Sequence, residues 1–191
     1  MTLDTILSIF LGVGLAASVG FRVFLPLFAL SLASYFNVWE LNESWVWIGS
    51  TTALITLGIA TIVEIAAYYI PFIDNILDAL AIPLATIAGT AVMVSTIADL
   101  SPVITWALAI IAGGGTAAAI KSSAGATRLG STMSTAGFAN PIISTVETGT
   151  SIIMAVVSIF LPIVAMILVL LIFYVVFRLY KKLNSRSSKS S

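Results

Sequence analysis

The sequence contains no cysteine and no histidine. Disulfides therefore cannot form, and zinc, iron–sulfur, histidine-ligated haem and cysteine-nucleophile chemistry are excluded. Charged residues are scarce at 8%, whereas a soluble domain carries roughly 25%. Hydrophobic residues make up 60% of the chain, and its mean hydropathy is +1.15. This composition predicts an integral membrane protein, and we expect no cofactor.

Catalytic motifs are equally scarce. The glycine-rich stretch 113–123, GGGTAAAIKSS, lacks the spacing of a phosphate-binding loop. The sequence shows no Ser–Lys or paired-aspartate motif clearly placed on facing helices. We therefore expect neither enzymatic activity nor a nucleic-acid partner.

The apolar runs predict an all-α membrane fold. A span needs about 20 apolar residues, and six segments approach that length: 4–21, 45–69, 79–98, 102–121, 142–161 and 163–180. The last two are separated by Leu161-Pro162, where we predict a tight hairpin.

Two further segments do not resemble ordinary spans. Segment 23–36 is apolar, but its length corresponds to about 21 Å of helix. Segment 122–140 is rich in Gly, Ser, Thr and Ala. At membrane depth its backbone would have to pack in protein or line water, so we predict two short re-entrant or broken segments. An ordinary cytoplasmic loop is the alternative for 122–140.

The order of features suggests an internal repeat. Residues 1–98 and 99–182 each contain a glycine-rich stretch, an arginine (Arg22 or Arg128), a short segment and a span with a glutamate (Glu64 or Glu147). Three spans in each half would place the halves in opposite orientations, as in the inverted 3+3 repeats of many transporters. Residues 183–191 are predicted to be a disordered basic cytoplasmic tail.

Basic residues predict the orientation. Five of the eight lie in the last fourteen positions, which places the C-terminus in the cytoplasm. Counting back places the loop 37–44 and the turn at 99–102 outside, where Asp99 would cap a helix. The N-terminus is then also cytoplasmic, and we expect a multi-pass protein of the bacterial inner (plasma) membrane.

The arginines are the first candidate substrate contacts. An arginine at membrane depth costs from about 3 to more than 10 kcal/mol unless it faces a partner or water. Arg22 is followed four residues later by Pro26, and a guanidinium binds phosphate or carboxylate in bidentate fashion. Arg128 lies among hydroxyl side chains, of which Thr127 and Ser131 are candidate contacts. The alternatives are pairing with a buried carboxylate and snorkelling to the interface.

Acidic residues are candidates for coupling or gating. Glu64 and Glu147 lie in predicted spans, where ionisable groups are by default ion, proton or substrate contacts; pairing with an arginine is the alternative. Asp78 is predicted to cap the helix that starts near 79, and Asp74 is a candidate cation or proton ligand.

Asn140 precedes Pro141 and is predicted to be an N-cap. An exposed helix start of this kind attracts anions, so Asn140 is a further candidate substrate contact, although capping alone would explain it.

The stretches GVGLAASVGFRVFLPLFALSLA, VEIAAYYIPFIDNILDAL, GGGTAAAIKSSAGATR and GFANPIISTVET together resemble a family of small bacterial multispanning proteins catalogued as domain of unknown function 4126. The resemblance covers about residues 6–182. It implies a multi-pass membrane protein but no activity.

The residues favour a transporter or flippase for an anionic small molecule or a phosphate-bearing lipid head group, coupled to protons or cations. Arg22, Arg128, Asn140, Ser131 and Thr127 would contact the substrate. An oligomeric ion channel or pore and a non-transporting membrane scaffold are the alternatives, and a homo-oligomer is compatible with all three. The expected partners are the lipid bilayer and the anion.

Overall fold

The computed structural model describes residues 2–70, 73–98 and 100–187, and the described residues contain no strand. The helices run in the order α1 (Leu3–Phe21), α2 (Phe24–Tyr35), a 3-10 helix (Glu43–Gly49), α3 (Thr51–Ala67), α4 (Ile73–Thr96), α5 (Pro102–Leu108), a π-helix (Ala109–Gly114), α6 (Gly115–Thr135), α7 (Asn140–Phe160) and α8 (Pro162–Ser187). Residues 183–187 of the expected disordered tail continue α8 as a helix, whereas Asp99 and residues 188–191 lie outside the described residues.

The described helices include four that are long and apolar enough to cross a membrane: Leu3–Phe21, Ile76–Thr96, Pro102–Thr135 and Asn140–Phe160. A fifth candidate is the pair Glu43–Gly49 and Thr51–Ala67, which is bent by 64°. Phe24–Tyr35 and Pro162–Arg178 are apolar but shorter. The protein is therefore a multi-pass helical membrane protein, with four or five candidate spans where the sequence suggested six.

Segment 122–140 differs from the expectation of a broken segment. It continues α6 as a helix to Thr135, and the chain turns only at Ala136, whose φ is +52°. The hydroxyls of Ser122 and Thr127 donate to backbone carbonyls four residues earlier. These bonds satisfy the polar side chains inside the helix, so a composition rich in Ser and Thr does not break it.

α1 packs against several helices through its small residues. A Cβ on Gly12 would meet Met93 and Thr96 of α4, and one on Gly20 would lie 2.6 Å from Ile120 Cβ of α6. A Cβ on Gly14 would meet both Ser158 of α7 and Ala165 of α8. Small residues let membrane helices approach closely in this way, and the two contacts of Gly14 agree with a sharp turn at Leu161.

Hydrogen bonds bring the start of α1 to the same end of the bundle as the loop after α2. Ser8 Oγ accepts from the Ala98 amide at 3.3 Å, and the Asn42 amide donates to the Ser95 carbonyl at 2.9 Å. We call this the Ser8 end. Sequence reasoning placed the N-terminus opposite segment 37–44, and the packing differs because α2 returns the chain across the bundle.

The matched stretches of the expected inverted repeat run in the same direction. Gly12 and Gly113 both pack against Met93, Gly20 packs against Ile120, and Arg22 and Arg128 both reach Glu147. An inverted repeat requires these stretches to run in opposite directions. The expected inverted repeat is therefore not confirmed, because α2 forms an additional returning segment in the first half.

Candidate functional site

Three basic side chains converge on one tyrosine at the end opposite Ser8, which we call the arginine end. Arg22, Lys121 and Arg128 are the basic residues that precede position 178, and each is at most 2% exposed. The Cζ atoms of Arg22 and Arg128 lie 4.1 and 4.5 Å from the centre of the Tyr68 ring. Lys121 Nζ donates a 3.1 Å hydrogen bond to the Tyr68 hydroxyl. Cation–π contacts of the two arginines and the hydrogen bond of Lys121 thus place all three charges around one ring.

Arg22 caps α1 and points into the bundle. Its backbone is extended, and its amide donates to the Ser18 carbonyl, which closes the helix. The side chain reaches α7, where Nε donates to Thr148 Oγ1 at 2.9 Å and Nη2 donates to the carbonyl of Ser144 at 2.8 Å and to its hydroxyl. The guanidinium is fully buried, so it does not snorkel to the interface.

Glu147 is shared by both arginines. Arg128 Nε donates to Glu147 Oε1 at 3.0 Å, and Arg128 Nη2 donates to Oε2. Arg22 Nη2 lies 3.8 Å from the same Oε2. The predicted alternative of a Glu147–Arg pair is therefore present. A pair of this kind is costly to break once buried, because each partner would be left as an uncompensated charge.

Glu64 binds backbone amides rather than an arginine. Its Oε1 accepts from the Val23 amide at 2.7 Å, and its Oε2 accepts from the Phe24 amide at 2.9 Å. These amides belong to the first turn of α2, which has no side-chain cap of its own. A carboxylate at a helix N-terminus satisfies orphan donors and matches the helix dipole. Glu64 on α3 is thus the cap of α2.

Asp78 and Asn140 are not the caps that the sequence suggested. α4 begins at Ile73, so Asp78 lies in its second turn, where Oδ2 is 3.9 Å from Arg128 Nη1. α7 begins at Asn140 itself, and no side chain caps it. Asn140 Nδ2 donates to Thr132 Oγ1 at 3.2 Å and lies 3.5 Å from Oδ2 of the buried Asp74. Both side chains contact other helices instead of capping their own, and this is why they differ from the predicted caps.

Thr127 and Ser131 are not brought to the arginines. Thr127 is exposed and donates to the Ser123 carbonyl, while the Ser131 hydroxyl lies 3.5 Å from Thr135 Oγ1. These bonds stay within α6. The structure instead adds Lys121 and Tyr68, which sequence reasoning missed. Lys121 could have been identified from the sequence because few basic residues precede the tail. Nothing in the sequence indicated a role for Tyr68.

Two donors in the cluster stay unused. Among the described residues, Arg22 Nη1 and Arg128 Nη1 are buried without a hydrogen-bond acceptor. An unsatisfied buried donor costs about 1–3 kcal/mol, and more when it is charged. The cluster therefore has two donors that could bind an anion. The described residues contain no group of three or more metal-ligating side chains.

A cleft of about 200 Å³ adjoins the cluster between α2, α3 and α4. Glu64 and Tyr68 form its polar wall, and the remaining lining is apolar: Val23, Phe24, Ala60, Val63, Ala67, Leu77, Ala81 and Leu84. The Tyr68 ring is therefore shared by the cleft and the cationic cluster.

Neither the curated proteins nor the solved structures gave a match to this chain. A family model, described as a domain of unknown function (DUF4126), matches residues 9–182. The protein thus belongs to the DUF4126 family of unknown function.

Proposed function

We propose that the protein is a carrier or flippase for an anion that bears a phosphate or a comparable acid group. The observation that carries the proposal is that Arg22 Nη1 and Arg128 Nη1 are buried in one cluster without a hydrogen-bond acceptor among the described residues. Asp78 Oδ2 lies 3.9 Å from Arg128 Nη1, beyond hydrogen-bond distance. A guanidinium presents donors in a fixed fork that suits phosphate oxygens. An acid group between the two forks would supply the missing acceptors.

The position of the cluster supports exchange with the cytoplasm. Arg178 on α8 is exposed, and further basic residues follow it. The positive-inside tendency therefore favours a cytoplasmic arginine end and a Ser8 end on the opposite face, in a bacterial plasma membrane. The N-terminus would then lie outside.

The carboxylates supply coupling in this proposal. Glu147 competes with an incoming anion for both arginines, and Glu64 fixes the start of α2 beside Arg22. An anion that replaces Glu147 leaves that carboxylate without its cationic partner. Proton binding by a carboxylate of the cluster would then remove the excess negative charge, which links anion movement to protons.

Proteoliposomes made with the full-length protein test the proposal. The probes are uptake of radiolabelled glycerol 3-phosphate and flipping of a fluorescent phosphatidylglycerol. Arg22→Lys and Arg128→Lys keep the charge beside Glu147 but lose the fork, and Arg178→Lys on the exposed part of α8 is the matched control. We expect both inner variants to lose movement of a probe by about tenfold or more, because a bidentate contact is lost.

Two results would contradict the carrier proposal. If wild-type vesicles move neither probe faster than protein-free vesicles, the carrier proposal is wrong. It is also wrong if Arg22→Lys and Arg128→Lys move the probes as fast as Arg178→Lys does. Melting temperatures of all three variants show whether a loss reflects unfolding.

A scaffold is the second candidate. The shared use of Glu147 by Arg22 and Arg128 favours it, because these bonds join α1, α6 and α7 without any ligand. A scaffold predicts that substitution of either arginine lowers the melting temperature and that no anion raises it. Thermal stabilisation by glycerol 3-phosphate or phosphatidylglycerol in the wild type, absent from Arg22→Lys, would instead favour the carrier.

A further inference from the structure

We infer that the cleft between α2, α3 and α4 holds an acyl chain, so that the anion is a phosphate-bearing lipid rather than a soluble ion. This inference rests on the proposed arginine site and assigns its substrate class. The lipid phosphate would lie at Arg22 and Arg128, and one chain would lie in the cleft.

The cleft presents almost no free polar group to a ligand. Its lining is apolar except for Glu64 and Tyr68. Both carboxylate oxygens of Glu64 already accept backbone amides, and the Tyr68 hydroxyl already accepts from Lys121. Among the described lining residues, the Tyr68 O–H is the one side-chain donor that a soluble anion would meet in this space, whereas a hydrocarbon chain would be transferred between apolar surroundings without polar penalties.

The cleft and the cationic cluster meet at one side chain. The Tyr68 ring lines the cleft, and Arg22 Cζ lies 4.1 Å from its centre. Val23 and Phe24, which follow Arg22 directly, also line the cleft. A molecule with an acid head and an apolar chain therefore matches both halves of the site, with its charge against the guanidinium groups and its chain beside Phe24.

The cleft adjoins surfaces that face the bilayer. Val63 of α3 and Leu84 of α4 line it, and they are 59% and 41% exposed. Ile59 and Ile62 on α3 are also exposed, at 58% and 69%. In a membrane protein such apolar exposure means contact with lipid chains. A lipid could enter sideways between α3 and α4 without leaving the hydrocarbon region.

Substitutions that fill the cleft test the inference. Ala60 lines the cleft, whereas Ala66 on the same helix is exposed and does not. Ala60→Phe should fill the space without touching an arginine, and Ala66→Phe is the matched control. Leu84→Trp on α4, with the exposed Leu80→Trp as its control, repeats the test from the opposite wall if Ala60→Phe fails to fold.

Binding is measured on the full-length protein in detergent by native mass spectrometry. The probes are phosphatidylglycerol, phosphatidylcholine as the zwitterionic reference, and glycerol 3-phosphate as the chain-free acid. We expect the wild type and both controls to bind phosphatidylglycerol at least about tenfold more tightly than glycerol 3-phosphate. Ala60→Phe and Leu84→Trp should lose that preference and still bind glycerol 3-phosphate as the wild type does.

Two results would overturn the inference and leave the arginine site intact. One is equal affinity of the wild type for phosphatidylglycerol and glycerol 3-phosphate. The other is an unchanged preference in the cleft-filling variants. Loss of glycerol 3-phosphate binding in Arg22→Lys would show that the arginine site binds the acid group. Unchanged binding of glycerol 3-phosphate by Arg22→Lys would instead count against the proposed function.

Discussion

The cap that Glu64 provides for α2 makes a quantitative prediction. Glu64→Gln keeps one acceptor oxygen, so one of the two amides, Val23 or Phe24, loses its partner. A hydrogen bond to a charged group contributes about 1.5–3 kcal/mol. Glu64→Leu removes both acceptors, and its cost should be about twice that, or about 3–6 kcal/mol.

Amide hydrogen exchange at the start of α2 measures this effect locally. A factor of ten in exchange corresponds to about 1.4 kcal/mol, so Glu64→Gln should raise exchange at Val23 and Phe24 by about ten- to a hundredfold. Glu64→Leu should raise it further. The remote amides of α4, such as Val92, should change much less, because no contact of Glu64 reaches them.

Glu43→Gln is the matched control, because Glu43 is an exposed glutamate in the first turn of the 3-10 helix. It removes the same charge from the protein without touching α2. Equal exchange at Val23 in Glu64→Gln, Glu43→Gln and the wild type would refute the assignment of Glu64 as the cap.

Two further predictions concern packing and pairing. Glu147→Leu leaves two buried guanidinium groups without their carboxylate and should destabilise the fold by about 3–5 kcal/mol, read as a lower melting temperature in detergent. Glu147→Asp keeps a carboxylate and should therefore lose less stability than Glu147→Leu. Gly20→Ala would place a Cβ 2.6 Å from Ile120 Cβ and should destabilise the protein. The Cβ of Gly115→Ala would meet nothing within 4 Å, so this variant should stabilise the protein by up to about 1 kcal/mol. Equal melting temperatures for the two glycine variants would contradict this reasoning.

Composition was sufficient to predict the membrane class, and the cost of a charge at membrane depth predicted that the arginines need partners or water. Arg22 and Arg128 had to be sheltered at membrane depth, and the structure buries both at one carboxylate. The direction of the chain could not be predicted in the same way. Segment 23–36 looked too short to span, yet as α2 it returns the chain toward the Ser8 end, because the bundle packs around it and lipid thickness does not limit its length.

The partners of individual side chains were predicted less well. A glutamate in an apolar helix suggests contact with a cation, but Glu64 accepts hydrogen bonds from two backbone amides. These amides are available because the helix is interrupted between α1 and α2. Asp78 looked like a cap because the apolar run begins after it; the helix begins earlier, at Ile73. Polar residues in the first turns of a helix do not reveal where that helix starts, and Tyr68 carried no signal at all.

In the proposed carrier, the charge balance at the arginine end would link anion binding to protons. Three cations, Arg22, Lys121 and Arg128, face four carboxylates there: Glu64, Asp74, Asp78 and Glu147. An added anion increases the negative excess, and a like charge at 4 Å costs about 4 kcal/mol at an effective dielectric constant of 20. Binding of one proton removes that cost.

Asp78 is the best acceptor for this proton. Its side chain is 26% exposed, so water reaches it, and its Oδ1 has no hydrogen-bond partner among the described residues. Calorimetric titration with phosphatidylglycerol in two buffers of different ionisation enthalpy should therefore show uptake of up to about one proton per lipid. Asp78→Asn should abolish the buffer dependence while lipid still binds, because the neutral amide already removes the excess charge. Equal binding heats in both buffers for the wild type would show that the cluster accepts the anion without a proton, and the coupling drawn from Asp78 would then be wrong.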